Sequence, residues 1–276
     1  MAYNTAYDLA GFMVNTKAAA VYAAQESSLF LGGMTIPQIQ VPAGSITAQL
    51  PLLGSVTAEK LTAASHDTPA GDFSALGITS TNKTITANIY AARDVVRDLG
   101  GIDPNELGRV LGNSVSAAFD KDVVAAFSGL TASADTGTLT LNAIFDAVAQ
   151  IRGAGETGQL YGVLGTAAAA ELMKVVGSTA YAGGAMQNEA MANGFVGQIA
   201  GVRFYQSAFA TAAISGVTGF KGAIFGADAF RIAMFKNVDL EVQRRAAAVG
   251  NDIVASLHAG VGLVDAARGV KLVDAA

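Results

Sequence analysis

Cysteine and tryptophan are absent from the 276 residues, and only two histidines occur, His66 and His258. Without cysteine the chain can form no disulfide, no thiol nucleophile and no cysteine-ligated metal site. Neither histidine has a carboxylate or a second histidine at metal-ligand spacing, so both are interpreted as structural residues. Two isolated histidines also give no basis for a Ser-His-Asp arrangement. The sequence therefore predicts no catalytic residue, no cofactor site and no metal ligand.

Charge is scarce as well. Charged residues make up 14% of the chain and hydrophobic residues 51%, whereas about a quarter of an average soluble domain is charged. Much of such a surface is expected to contact other protein, although a globule enriched in alanine and glycine would give the same composition. The net charge of −5 and the lack of a dense Lys/Arg cluster argue against tight nucleic-acid binding.

Long apolar runs are missing too. No basic N-terminal patch precedes an apolar stretch, and no run of about 18 apolar residues occurs, so neither a signal peptide nor a membrane span is predicted. We therefore expect a soluble protein that is made in a cytoplasm.

The clearest predicted element is a long helix over Asp103–Phe127. Asp103 is a good N-cap, Pro104 occupies the first helical position, and Glu106 completes a capping-box pattern. Gly129 follows the end of the helix. Apolar residues recur at helical spacing, at Leu107, Val110, Leu111, Val115, Ala118, Phe119, Val123, Ala126 and Phe127.

The opposite face of this helix is polar and is expected to include Ser116 and Asp120. Gly108 and Gly112 lie inside the helix, where each glycine costs about 1 kcal/mol relative to alanine. Either another backbone approaches closely at these glycines, or the helix tolerates them.

The region before the helix contains two segments of different character. An amphipathic helix is predicted over about Tyr7–Gln25, and Gly32 and Gly33 follow it, a pattern typical of an arm that packs on something else. Alternating residues then predict strands at Ile46–Leu50 and Lys83–Ala91. The residues between these strands have too few large apolar side chains to support a core. We predict a long two-stranded hairpin that projects from the body and is stabilised by neighbouring molecules.

The region after the long helix has an α/β pattern. Its predicted elements are helices at Leu141–Arg152 and Thr166–Val176 and strands at Leu160–Leu164, Val202–Tyr205, Gly222–Phe225, Val238–Arg245, Asp252–Val264 and Val270–Val273. The segment Gly153–Gly158 has the letters of a dinucleotide fingerprint. It follows a helix and precedes a strand, which is the reverse of what pyrophosphate binding requires, so it is interpreted as a turn.

This order of elements resembles the major capsid proteins of tailed double-stranded-DNA bacteriophages, which have the Hong Kong 97-type fold. The matching stretches run through most of the chain: Thr84–Val95 leading into Asp103–Phe127 with Ala118–Asp122, Leu160–Leu164 with Thr166–Val176, Gly197–Ser207, Asp252–Ser256 and Gly269–Leu272.

The resemblance implies an α+β fold with four parts. These are an N-terminal arm (1–37), an extended β-hairpin loop (38–92), a peripheral domain with the long spine helix (93–137 and 228–262) and an axial domain (138–227 and 263–276). It also implies a non-catalytic major capsid protein of the virion, which forms hexamers and pentamers of an icosahedral head. Intersubunit contacts are expected at Val56, Lys60, Leu61, Arg93, Arg97 and Arg109.

The resemblance also bears on partners. The shell would enclose double-stranded DNA without sequence-specific binding and without a membrane, and the chain would be made in the host bacterial cytoplasm. Because the chain opens directly at the arm, a separate scaffolding protein is expected, together with a portal. Assembly is expected to be non-covalent, since nothing marks an apolar pocket for Lys60. Two alternatives stay open: a nanocompartment shell of the encapsulin type, which shares this fold, and a cytoplasmic enzyme of unfamiliar type.

Overall fold

The described residues form a four-stranded sheet, a five-stranded sheet, two two-stranded sheets and four α-helices, of which the two longest have 23 residues each. The computed structural model describes residues 5–33, 35–42, 44–53, 80–97, 103–131, 137–176 and 198–274. The helices are α1 (Thr5–Ser27), α2 (Pro104–Ala126), α3 (Leu141–Gly153) and α4 (Thr166–Val176). The strands are β1 (Gln38–Gln40), β2 (Thr47–Leu53), β3 (Ser80–Thr86), β4 (Asn88–Arg97), β5 (Leu160–Gly165), β6 (Gln198–Ile199), β7 (Val202–Ser207), β8 (Ala213–Ile214), β9 (Val217–Thr218), β10 (Phe220–Gly226), β11 (Phe230–Arg245), β12 (Gly250–Leu263) and β13 (Gly269–Val273).

The first sheet has the strand order β1-β11-β12-β4. Strand β1 runs parallel to β11, and the other neighbours are antiparallel. Successive residues of a strand point to opposite faces, and the inner face presents Ile253, Leu257 and Tyr90 to α2. The rings of Tyr90 and Phe119 meet edge to face with centroids 5.6 Å apart. Helix α2 is therefore held on this sheet by its predicted apolar face.

Helix α2 begins and ends close to the predicted positions. The Asp103 side chain caps it by accepting a hydrogen bond from the backbone N–H of Asn105, and Pro104 is the first helical residue. The buried face contains Leu111, Val115 and Phe119, as predicted, but Ser116 and Asp120 are also buried. Their predicted placement on the solvent side is wrong because α1 packs along this side of α2.

Helix α1 packs along α2 through small residues. A Cβ atom at Gly108 would lie less than 3.0 Å from the Thr16 carbonyl oxygen, and one at Gly112 less than 3.0 Å from that of Ala20. Gly108 contacts Thr16 and Gly112 contacts Ala20, so residue numbers increase in the same direction along both helices. The two helices are therefore parallel. The close backbone approach considered for the two glycines is confirmed. The described part of α1 belongs to the main core, with Ala20 fully buried, so it is not an arm outside the body.

The second sheet has the order β13-β10-β5-β7-β6. Strand β10 is fully buried, and α3 and α4 pack beside it. The fingerprint-like segment forms the turn between α3 and β5, as predicted. An aromatic cluster joins this sheet to the first one: Phe225 and Phe230 each lie within about 5.5 Å of the Phe127 ring centroid.

The remaining predicted elements agree with the structure within a few residues, with two exceptions. Strand β11 begins at Phe230, eight residues before the predicted start at Val238. The second exception lies at Ala87. There the predicted strand Lys83–Ala91 divides, because β3 pairs with β2 whereas β4 pairs with β12. The N–H of Ala87 donates to the carbonyl oxygen of Ile46, which closes the hairpin before the chain enters the first sheet.

Candidate functional site

The hairpin formed by β2 and β3 lies beside the first sheet, and β3 is exposed over most of its length. Its antiparallel register runs from Thr47 opposite Thr86 to Leu53 opposite Ser80. Of the residues in β3, only Ile85 is buried. Ile85 lies at the end of the strand nearest the body, so the strand leaves the body with both faces open to solvent. The residues 54–79, which would continue the hairpin, lie outside the described residues.

Ile85 anchors the base of the hairpin in a groove made by glycines. Its side chain lies over Gly260 and Gly262 of β12, where a Cβ atom would come within 3.0 Å of it. Ala48 of β2 and Ala233 of β11 complete a small apolar cluster around it. This cluster is separate from the main core. Val41, Leu50 and Phe235 pack against this cluster and are partly buried, so a small apolar cluster around Ile85 attaches the hairpin to the first sheet.

Three of the predicted intersubunit residues, Arg93, Arg97 and Arg109, lie in the described part of the chain, on two different elements. Arg93 and Arg97 lie on the same face of β4, and that face is turned away from α2. Arg93 donates to Asp252 through two of its guanidinium nitrogens, from Nε to Oδ1 at 2.7 Å and from Nη2 to Oδ2. Arg109 is exposed on α2, on the other side of the sheet.

Three other predicted contact residues, Val56, Lys60 and Leu61, lie outside the described residues. The roles of all six in assembly stay predictions. The ion pair does show that the Arg93 guanidinium already has a partner within its own subunit.

A buried carboxylate lies at the end of the contact between α1 and α2. Asp120 is 4% exposed. Its Oδ1 accepts a hydrogen bond of 2.5 Å from the Ser28 hydroxyl, and its Oδ2 accepts one of 3.0 Å from the N–H of Leu29. Burial raises the pKa of Asp120 to about 6, although the hydrogen bonds from Ser28, Leu29 and Phe30 act to lower it. The carboxylate thus fixes the turn that follows α1.

A second buried charge is Lys221 on β10. Its Nζ donates to the Gly137 carbonyl oxygen at 2.5 Å and to Glu171 Oε2 at 2.8 Å, and it lies 3.1 Å from Asp274 Oδ1. Burial acts to lower the pKa of Lys221, but the two carboxylates outweigh this and raise it. The group lines an open cavity of about 350 Å³ beside α4. Lys221 is therefore held as a charged ammonium and not as a nucleophilic amine.

A third cluster joins the two sheets. Arg268, just before β13, lies 3.3 Å from the buried Glu156 and 3.1 Å from Asp228, which precedes β11. Asp228 also pairs with Arg231 at 2.6 Å. Each carboxylate here has a cationic partner, as a structural ion-pair network requires.

The three polar clusters consist of hydrogen bonds and ion pairs within the subunit. In the described part of the chain, no group of three or more His, Asp or Glu side chains is placed to hold a metal ion. His258 lies in β12, as predicted. None of the described helices is long and apolar enough to cross a membrane.

Several large apolar side chains are more than half exposed. They lie on different elements of the fold: Val14, Tyr22, Ile46, Ile89, Val110, Phe145 and Val249. Single exposed apolar residues are common in soluble proteins. Here they accompany an unusually low charged fraction, which is consistent with a surface that meets other protein in several places.

Sequence reasoning missed the three buried polar clusters. Asp120 and Ser28 are 92 positions apart in the chain, and Lys221 and Glu171 are 50 apart, so no local pattern connects them. One signal was available. The small residues Thr16, Ala20, Ala24 and Ser28 recur every fourth position, as do Gly108, Gly112, Ser116 and Asp120, which matches two helices packed along one ridge.

Comparison with known proteins gives a result only at the level of structure. The sequence matches no family model and no curated protein. The fold is similar to a structure from Microbacterium phage Oxtober96, with 12% identity, a TM-score of 0.68 and coverage of 90% of this chain and 91% of that chain. It is similar to the capsid structure of the cyanophage P-SCSP1u, with 18% identity, a TM-score of 0.64 and coverage of 87% and 86%.

A third similar structure is a virus-like particle from Pyrococcus furiosus. It has 10% identity and a TM-score of 0.63, and the match covers 95% of this chain and 99% of that one. At these identities the likeness concerns the fold. The α+β class and the Hong Kong 97-type capsid fold predicted from the sequence are confirmed.

Proposed function

We propose that this chain is a shell-forming major capsid protein of a tailed bacteriophage head. The observation that carries the proposal is the likeness of fold over most of the chain to a cyanophage capsid structure, at a TM-score of 0.64. Because one fold can serve several functions, the proposal also needs support from the surfaces of this chain. The low charged fraction and the missing metal cluster in the described residues favour a structural role over catalysis.

The hairpin supports the proposal further. Six of the seven residues of β3 are exposed, and the one buried residue lies at the base. An isolated two-stranded hairpin is marginally stable in water, and ordering each residue costs about 1–2 kcal/mol of backbone entropy. A neighbouring subunit that covers the hairpin would provide the missing burial. We therefore propose that the hairpin reaches across a boundary between subunits.

The layout and partners follow as parts of the same proposal. Residues 1–37 form an N-terminal segment, 38–92 the extended loop, 93–137 with 228–262 the peripheral domain, and 138–227 with 263–276 the axial domain. Copies of the chain associate into hexamers and pentamers that enclose double-stranded DNA in the virion. A scaffolding protein and a portal would be the other partners, and synthesis would take place in the host cytoplasm.

A second candidate is a nanocompartment shell of the encapsulin type. The virus-like particle from Pyrococcus furiosus favours it, because that match covers the largest shares of both chains among the three structures described above. The two candidates differ in what the shell encloses. Nuclease-protected DNA inside particles isolated from infected cells would support the phage head, whereas a protein cargo would support the nanocompartment.

The experiment that tests the shell itself combines electron microscopy with a shortened hairpin. Leu53 and Ser80 are register partners, so an Asn-Gly turn in place of residues 54–79 can join them directly. The wild-type chain should form closed shells, alone or with a scaffolding protein. The shortened chain should keep its melting temperature within a few degrees but form no shells.

Two results would count against these proposals. A wild-type chain that elutes only as a small oligomer under all assembly conditions would contradict the capsid function. Normal shells from the shortened chain would leave the function standing but refute the role of the hairpin.

A further inference from the structure

A strained apolar residue lies in the turn between β11 and β12. Val249 has a backbone φ of +45°, in the left-handed region that β-branched residues rarely adopt. Its side chain is 63% exposed, so burial within the subunit does not compensate for this conformation. Glycine or asparagine would adopt the same backbone with less strain. Strained residues cluster at functional sites, and an exposed valine held in this way indicates a contact outside the subunit.

Two arginines flank this turn on one face of the first sheet. Arg97 of β4 and Arg245 of β11 are the register partners of Gly250 on its two sides. Register partners point to the same face, so both arginines lie on the face turned away from α2, with their backbones about 10 Å apart. Both are exposed. We refer to Val249, Arg97 and Arg245 together as the basic tip.

The basic tip has an excess of positive charge. Asp252, the carboxylate nearest to it on this face, already accepts two hydrogen bonds from Arg93. The pKa of Asp252 is lowered by these bonds and also by the charge of Arg245. Among the described residues, neither Arg97 nor Arg245 takes part in an ion pair. Their guanidinium groups can therefore bind carboxylates of another molecule.

The opposite face at the same end of the body is acidic. Tyr90, near the start of β4, contacts Phe119 in the second half of α2, so the end of β4 lies toward the start of α2. The exposed carboxylates in this region are Asp94, on the face of β4 toward α2, and Asp103 and Glu106 at the start of α2. None of the three forms an ion pair with a cation of the described chain. We refer to them as the acidic face.

We propose that the basic tip of one subunit binds the acidic face of a second copy of this chain, with Val249 as an apolar anchor between the charges. The two surfaces lie on opposite faces of one subunit, so they pair between copies and not within one. Charge complementarity selects the partner, and an apolar side chain surrounded by polar groups is the usual anatomy of an interface. The net charge of −5 disfavours a nucleic acid as the partner.

A contact between two different surfaces is heterologous, so it repeats from copy to copy until a ring closes. The inference rests on the proposed function in one respect, namely that copies of the chain associate. It assigns a contact at the end of the first sheet, separate from the contact proposed for the hairpin.

The first test reverses the charges and measures association by sedimentation velocity. Arg97→Glu with Arg245→Glu should weaken association by about tenfold or more, and Asp94→Arg with Glu106→Arg should do the same. All four substitutions in one chain should restore association, because each attraction forms again with the charges exchanged. Association of the wild type should also weaken as the salt concentration rises.

A matched control changes the net charge equally at another place. Lys174 on α4 and Arg203 on β7 are exposed, and Lys174→Glu with Arg203→Glu should keep association near that of the wild type. A loss equal to that of the arginine pair at the basic tip would overturn the proposal, because the effect would then come from net charge alone.

The second test separates strain from contact at Val249. Val249→Asn should raise the melting temperature of the isolated subunit by a few degrees, because asparagine tolerates the left-handed backbone. The same variant should weaken association by about tenfold, because the apolar anchor is lost. The control is Ala200→Asn in the exposed turn between β6 and β7, where φ is +52°. It should raise the melting temperature and leave association unchanged. A valine with a structural role only would give the result of this control.

The outcomes distinguish this contact from the capsid function. Shells that form equally well from the wild type and from both charge-reversed pairs would overturn the contact and leave the function standing. A fourfold variant no better than the two pairs would also overturn it. Loss on reversal of the arginines alone would exclude the acidic face and would show that another anionic partner binds the tip. A wild type that never associates would contradict the contact and the function together.

Discussion

Alanine at Gly108 or Gly112 should destabilise the protein, although alanine is the better helix former. At each position the added Cβ atom would lie less than 3.0 Å from a carbonyl oxygen of α1, that of Thr16 or that of Ala20. Both obstructing atoms belong to the backbone, so no side-chain rotation can relieve the contact. To restore an ordinary contact of 3.4 Å, α1 would have to move away by about 1 Å.

The expected magnitude is a balance of two effects. Replacing glycine by alanine inside a helix gains about 1 kcal/mol of helix propensity. Overpacking of a close contact costs about 1–3 kcal/mol, and a backbone obstruction places the cost at the upper end. We expect each variant to lose about 1–2 kcal/mol of unfolding free energy, which corresponds to a fall in Tm of a few degrees for a chain of this size.

Urea and thermal unfolding measure this effect, and Gly153→Ala is the matched control. Gly153 ends α3, and a Cβ atom there would meet nothing within 4 Å. This control should be neutral or slightly more stable than the wild type. Adding Ala20→Gly to Gly112→Ala should not restore stability, because the obstructing oxygen stays. A Gly112→Ala variant as stable as Gly153→Ala would refute the close packing of α1 on α2.

Three further predictions concern the same region. Phe119→Ala should cost about 3–5 kcal/mol of unfolding free energy by denaturant titration, because this side chain is fully buried; a loss below 1 kcal/mol would contradict its place in the core. Burial, together with the hydrogen bond to Asp122, raises the pKa of Tyr90 to about 12 against the opposing effect of Asn88. Absorbance at alkaline pH should therefore show one phenol that ionises late, and Tyr90→Phe should remove it. This residue's stabilisation is complete below pH 10 and is lost as the pH rises toward 12. Lys17→Ala should cost less than about 1 kcal/mol, since the Lys17 side chain is 54% exposed and Asp239 keeps a second cationic partner, Lys236, at 3.0 Å; a larger loss that persists in high salt would show that the pair is more than a surface contact.

The helix α2 was predictable because its signals are local. The cap, the proline at the first helical position and the apolar spacing lie within the segment, so its bounds follow from the sequence. The face that packs on the sheet follows only in part, because Val110 of the predicted apolar face is exposed. The same holds for α3 and α4, whose ends were predicted within a residue or two. The ends of such helices are predictable because their start and stop signals are local.

The burial of Asp120 was not predictable from α2 alone, because the recurrence of small residues along α2 indicates a packing ridge only together with the matching recurrence in α1. A helical wheel places it beside polar residues such as Asn113 and Lys121, and it differs from them only through the approach of α1. The pairing of Arg93 with Asp252 also depends on contacts between residues far apart in the sequence, at a separation of 159 positions. Tertiary packing determines whether such residues are buried and which partners they contact, and the periodicity of one segment does not contain this information.

The hairpin shows a different limit. Alternation correctly predicted that Ile46–Leu50 and the segment after Lys83 are strands. It did not show the break at Ala87, because the residues on either side alternate in the same way. What changes there is the partner strand, from β2 to β12. Alternation of apolar and polar residues predicts that a segment is a strand, but it does not predict which neighbouring strand the segment pairs with.

The N-terminal helix and the hairpin are attached to the body by the same physical device. In each case a glycine pair leaves room for another segment to come close: Gly108 and Gly112 receive the backbone of α1, and Gly260 and Gly262 receive Ile85. The two attachments differ in strength. Helix α1 also belongs to the main core, where Ala20 and Ala24 are fully buried, whereas Ile85 belongs to a small separate cluster. The hairpin is therefore the lightly held extension of the described chain, as a subunit requires if its hairpin makes its main contacts with neighbouring copies.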